Sequence, residues 1–184
     1  MSLNAYDLSA GVFVRGLTNL KLQLTKAEDH AAARGGGEAA LLDARLGAET
    51  QGVASDTRYD LHMYTLADHV HWATEGASLA IARLLGASPE PAVNDAKCFA
   101  DLHRRLDAVI WYLREIAPND LAAGLDRVIV MDHRHGSTRA RGDLFLLAYA
   151  TPHFFYHLTT AYGILRNQGV QLRMSDFLGN WVTS

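Results

Sequence analysis

Nine histidines are spread through this 184-residue chain, and two of them, His153 and His157, stand four apart in a segment of helical pattern. About 40° separates such positions around a helix axis, so both imidazoles can reach one point. That is ligand spacing for a divalent metal ion, and equally the spacing of two hydrogen-bonded histidines on one inner helix face. Catalytic metal centres commonly use three protein ligands and keep a position for water or substrate, so a third ligand belongs on an adjacent helix. Residues 60–85 offer His62, His69 and His71. Counting about 100° per residue from Leu66, His69 falls roughly 60° from the centre of the apolar stripe, whereas His71 falls on the polar side with Asp68 and Glu75. His69 is therefore the candidate third ligand, and His71 is expected on the solvated face. His62 points inward but two turns nearer the helix start, at a different level. His103 lies at the edge of another apolar stripe; it is a candidate fourth ligand or a support for the ligands, but a core-edge histidine hydrogen-bonded to a neighbour is the expected reading. His133 and His135 share one side of an extended segment and, with Gly136 following, are expected in an exposed turn. Cys98, the single cysteine, has no activating partner visible in the sequence and is read as packing.

The elements that must position these groups follow from periodicity and stop signals. Phe13, Leu17, Leu20, Leu24 and Ala31 recur at helical spacing between Tyr6 and Arg34, and Gly35, Gly36 and Gly37 end the pattern. Residues 38–46 predict a further turn or two of helix, and residues 47–59 a connector. Asp60 can cap a second long helix of about seven turns, with the stripe Leu66, Val70, Ala73, Ala77, Ala80 and Leu84 and stops at Gly86, Pro89 and Pro91. Asn94 or Asp95 can cap a third, carrying Phe99, Leu102, Leu106, Ile110 and Leu113 and ending before Pro118. Leu125 to Met131 with the turn chemistry after it predicts a small hairpin. Asp143 can cap the fourth helix, with Leu146, Tyr149, His153, His157, Thr160 and Ile164 inward and Gly169 as its stop. Pro152 within that helix predicts a kink, or a restart with Thr151 as cap. The expectation is one all-α domain over residues 1–184, an up-and-down four-helix bundle with a small hairpin between helices three and four.

Composition bounds the partners. With 17 Lys and Arg against 20 Asp and Glu the formal charge is -3, which offers no basic field for a phosphate backbone, so nucleic acid is not an expected partner. No apolar run reaches the length of a membrane span, and the start of the chain lacks the pattern of a secretory signal. With a single cysteine, no internal disulfide can form. A cytoplasmic protein without membrane partners is expected.

The segments Val14 to Leu20, Thr151 to Arg166 (TPHFFYHLTTAYGILR) and Asp176 to Gly179, with the opening Met-Ser-Leu-Asn-Ala-Tyr, resemble an uncharacterised branch of the DinB/YfiT-like superfamily. The resemblance covers nearly the whole chain. It implies a four-helix bundle, often dimeric, in which some members hold a divalent metal with a histidine on helix two and a His-x-x-x-His pair on helix four. His69 matches the first position, and His153 with His157 match the pair. Relatives with that triad look like metal-dependent transferases or isomerases acting with low-molecular-weight thiols, so zinc or nickel, a small-molecule thiol and a homodimer are the implied cofactor and partners. Trp72 and Trp111, more aromatic surface than one small core needs, also favour self-association. The competing reading is a metal-free helical bundle acting in small-molecule binding or protein association, its histidines satisfied in a polar layer.

Overall fold

A computed structural model describes residues 4–47, 64–88, 90–133 and 136–180. The first helix, α1 (Ala10–Ala33), buries Phe13, Leu17, Leu20, Leu24 and Ala31. It starts one turn later than its pattern suggests, because Tyr6 to Ser9 form a turn in which the Ser9 hydroxyl donates to the Ala5 carbonyl at 2.5 Å. Gly35, Gly36 and Gly37 all take positive φ and end the helix as expected. A short α2 (Glu38–Leu42) follows.

The second long helix, α3 (Leu66–Leu85), opens on a reciprocal cap: Asp68 N–H donates to Thr65 Oγ1 at 3.1 Å, and Thr65 N–H to Asp68 Oδ2 at 2.9 Å. The helix is thus shorter than its expected seven turns. Thr65 caps its start, while Asp60, the cap expected from sequence, lies outside the described residues. Its end is as expected, at Gly86 with φ 84°. In α4 (Phe99–Arg114) the expected stripe Phe99, Leu102, Leu106, Ile110 and Leu113 is buried throughout. Cys98, not Asn94 or Asp95, occupies its cap position; Asn94 Nδ2 instead donates to Asp68 Oδ1 at 2.7 Å, and Asp95 lies 3.2 Å from Arg105. Glu38 accepts the Phe99 N–H from across the fold.

A 3₁₀ segment (Pro118–Gly124) leads into the hairpin β1 (Val128–His133) and β2 (Gly136–Arg141), paired antiparallel from Val128 and Arg141 to His133 and Gly136. The hairpin sits between helices three and four, where sequence places it.

The last long rod is continuous. It comprises α5 (Gly142–Phe145), a π turn (Leu146–Ala150) and α6 (Thr151–Asn167). Two corrections belong here. Asp143 is not a cap: Arg141 precedes the helix, and the Asp143 carboxylate pairs with Arg141 and accepts the Leu144 N–H. Nor does the rod restart at Thr151, whose φ and ψ of -67° and -48° are helical. Proline lacks the N–H that would bond the carbonyl four residues back and its ring crowds that carbonyl, so a widened turn upstream accommodates it. The extra residue in the π turn rotates the register. Leu146, His157 and Ile164 are buried as the sequence phase expects, but Phe154, Leu158, Ala161 and Leu165 widen the buried face, while Tyr149 is 47% exposed and His153 and Thr160 are only half-buried. A short α7 (Met174–Leu178) returns over α1, where Asn19 Nδ2 and Gln23 Nε2 donate to the carbonyls of Phe177 and Asp176 at 2.9 and 3.0 Å.

The structure is thus mainly helical with one small two-stranded sheet. The most extensive helix contacts are α3 on α6 and α1 on α4, with α3 also on α4 and α1 also on α6. Backbones approach closely where glycine allows it: a Cβ at Gly16 of α1 would lie 2.7 Å from atoms of both Phe154 and Leu158. Among the described residues no helix is long and apolar enough to cross a membrane.

Candidate functional site

The seam between α3 and α6 carries the histidines. His69 is opposite His157 and Gly76 is opposite His153, so the two helices run antiparallel with the pairs about two turns apart on α3 and one on α6. His69 Nδ1 and His157 Nδ1 are 2.9 Å apart and form a buried hydrogen bond. Two neutral imidazoles can do this only as opposite tautomers, one donating through Nδ1 and the other accepting. The ring of His153 follows on the same face of α6, its centroid 4.6 Å from that of His157. A Cβ at Gly76 would come within 2.9 Å of His153 Nδ1, so the missing side chain there makes room for the ring. His153 has no hydrogen-bond partner among the described residues.

An aromatic column and box enclose these rings. Phe145, Tyr149 and His153 stack at four-residue steps, with centroids 5.8 and 5.6 Å apart, so the column runs from α5 through the π turn into α6. Around the His69 and His157 pair stand Tyr64, Trp72 and Tyr156, each with its ring centroid within about 6.5 Å of His157. Trp72 is 36% exposed and Tyr156 56% exposed, so the pair lies under an aromatic rim that faces solvent.

Burial sets the protonation states. Loss of water pulls the His69 pKa down to about 4 against the opposing pull of Asp68. Burial takes His157 to about 3, helped by the positive charge that His153, His69 and His71 would carry. His153 is lowered too, by burial. All three rings are therefore neutral at pH 7 and retain a basic lone pair, the state a metal ligand requires.

His71 is placed differently from the sequence expectation. It is 4% exposed, not solvated, and its Nδ1 accepts from Arg105 Nη1 at 2.7 Å. Arginine can only donate, so the remaining proton sits on Nε2. Burial first and the Arg105 charge second hold its pKa near 4. Glu75, assigned to the same polar side, is also buried, and Glu75 Oε1 accepts the Ala92 N–H at 2.9 Å. The chain between α3 and α4 covers this flank of α3, which a single-face helical wheel treats as solvated. His69 does face inward as expected.

Of the other histidines, His103 lies at the core edge, as its stripe position suggests, but the hydrogen bond expected there is not made: its Nε2 approaches Glu28 Oε2 at 3.3 Å without hydrogen-bond geometry. His62 and His135 lie outside the described residues, and His133 ends β1. Cys98 is half-buried, its Sγ donating to Asp101 Oδ2 at 3.2 Å, a structural contact that matches the packing reading.

A metal can be tested against this geometry. Two nitrogens each about 2.1 Å from one ion are roughly 3.4 Å apart at the tetrahedral angle of zinc and roughly 3.0 Å apart at the right angle of an octahedral ion, so the 2.9 Å separation of the His69 and His157 nitrogens is nearer the second. The bridging proton occupies the place an ion would take. The third group is not yet in position: among the described residues no three His, Cys, Asp or Glu side chains are arranged to hold an ion as they stand. The pair offers two nitrogens to an ion, and His153 stands beside it with its ring centroid 4.6 Å from that of His157.

The antiparallel helices and the hairpin have the fold of a DinB-like protein. Its fold matches a crystal structure at 1.83 Å of a DinB family member protein from Shewanella denitrificans, with a TM-score of 0.82 and 28% identity over 97% of this chain and 94% of that one. The chain belongs to the family described as Domain of unknown function (DUF1993), which matches residues 5–178. No curated protein matches it.

Proposed function

We propose that this DinB-like protein is an up-and-down four-helix bundle that binds a divalent ion, zinc or nickel, through His69, His153 and His157. The observation that carries the reading is the buried contact of His69 Nδ1 with His157 Nδ1 at 2.9 Å, beside a third imidazole that has no hydrogen-bond partner among the described residues. When bound, the ion supplies a Lewis-acid centre of the kind that stabilises a thiolate, consistent with a thiol-dependent transferase or isomerase. The protein's own part is to keep the three rings neutral by burial, to hold His157 between its two neighbours, and to shield the pair with Tyr64, Trp72 and Tyr156.

The test is the metal content of protein purified without an affinity tag, followed by zinc titration of the chelator-treated form. Stoichiometric uptake is expected. His153→Ala and His157→Ala should abolish it and His69→Ala should weaken it severely, while His71→Ala, removing a ring engaged by Arg105, should do little. A triple variant that retains all its metal, or a wild-type chain that takes up none, would overturn the reading. The metal-free binding module is then the better account.

A further inference from the structure

Beside His153 the same seam opens into a cavity of about 190 Å³ lined by α3 on one side and by α5, the π turn and α6 on the other. Three of its walls are aromatic, from Trp72, Phe145 and Tyr149, and His153 closes one part of it. Two charged side chains also line it, and their situations differ. Glu75 is buried and engaged, accepting the Ala92 N–H at 2.9 Å. Arg83 is half-buried and has neither a hydrogen-bond nor an ion-pair partner among the described residues. The eight helical steps from Glu75 to Arg83 rise roughly 12 Å along the axis, which sets the two backbone positions at opposite ends of the cavity wall that α3 provides.

A guanidinium that has given up part of its hydration to line an aromatic cavity, with no ion-pair partner among the described residues, is a strong receptor for a planar anion. Its paired N–H donors match a carboxylate in a bidentate fork. The walls select the rest of the ligand. Cavities of about 150 Å³ admit a benzene ring, so this one admits a single ring or short alkyl body with an acid arm. Aromatic walls favour a ring packed edge-on or offset against them.

We propose that this cavity binds a small carboxylate with an aromatic or apolar body, its carboxylate on Arg83 and its opposite end directed toward His153. The placement makes it the ligand subsite of the histidine centre, and in that respect it rests on the function proposed above. Recognition of the anion itself requires no metal.

Phenylacetate is a suitable probe, with phenylacetamide as its neutral counterpart, both titrated by calorimetry into chelator-treated full-length protein. Phenylacetate should bind at least about tenfold more tightly than the amide, the difference expected of a charge-assisted hydrogen-bond pair. Arg83→Gln should erase that preference. Met174→Ala, on α7 and outside the cavity lining, should leave phenylacetate affinity within about twofold. Leu79→Trp, which fills the space from α3, should remove binding of both probes while the thermal transition persists. Equal affinity for acid and amide, a preference that survives Arg83→Gln, or no saturable binding of phenylacetate would each overturn the subsite. Phenylacetate binding by a protein that takes up no zinc would support the subsite while removing the metal, and zinc uptake without phenylacetate binding would do the reverse.

Discussion

His69, His71 and His157 are neutral because burial strips the imidazolium of water, and that choice has a thermodynamic cost at low pH. Their folded-state pKa values lie near 4, 4 and 3, below the ordinary 6.5. Between those limits the unfolded chain binds more protons than the folded one, so stability is fully present above about pH 6.5 and falls as the pH drops toward 4. The loss should reach at least about 3 kcal/mol, the order of one such shift. Urea unfolding followed across this window checks it. A flat profile from neutrality to about pH 4.5 would mean that water or a carboxylate reaches these rings. His69 was legible in the sequence because its helical phase puts it beside the stripe of Leu66 and Val70. His71 was not, because its burial depends on Arg105 reaching across from α4 at 2.7 Å.

At the level of the element, the start of α3 is set by chemistry within four residues. Thr65 and Asp68 satisfy each other's backbone N–H groups, and Asn94 ties the same carboxylate to the chain before α4. Thr65→Ala should cost about 1 kcal/mol, a usual value for a lost side-chain cap, and lower Tm by roughly 2 to 4 °C for a chain of this size. Differential scanning calorimetry measures it, and an unchanged Tm would show that packing of Leu66 alone holds the helix start. The π turn is the less legible counterpart. Pro152 marks an irregularity, yet the sequence allows a kink, a restart or a widened turn, and the packing on either side selects among them. Phe145 is buried before the turn and Phe154 after it; the widened turn supplies the rotation between these faces.

For the whole molecule, the surface is consistent with self-association. Trp111 is 67% exposed on α4, and Leu144, Leu147 and Val128 are also exposed near the base of the hairpin. Apolar surface of this kind on a helical protein favours burial against a second copy, and a homodimer is the expected state. Sedimentation at micromolar concentration should give twice the chain mass. Trp111→Glu or Leu147→Glu should shift it toward monomer if the corresponding surface is the interface. A wild-type monomer at all accessible concentrations would remove the expectation.

The sequence by itself determined the helical class and most of the buried stripes. Phe13 to Ala31, Leu66 to Leu84 and Phe99 to Leu113 read correctly because a helix repeats every 3.6 residues whatever it packs against. It also determined the site of the hairpin and the inward phase of His69, both consequences of local spacing and turn chemistry. Tertiary structure alone decided the burial of His71 and Glu75, the widening of the buried face of α6 to Phe154 and Leu158, and the hydrogen bond of His69 with His157. These features rest on contacts between residues 17 to 88 positions apart: Ala92 with Glu75, Arg105 with His71, and His69 with His157. A helical pattern specifies which residues share a face; how many faces a neighbouring chain will cover depends on how all the helices close around one core.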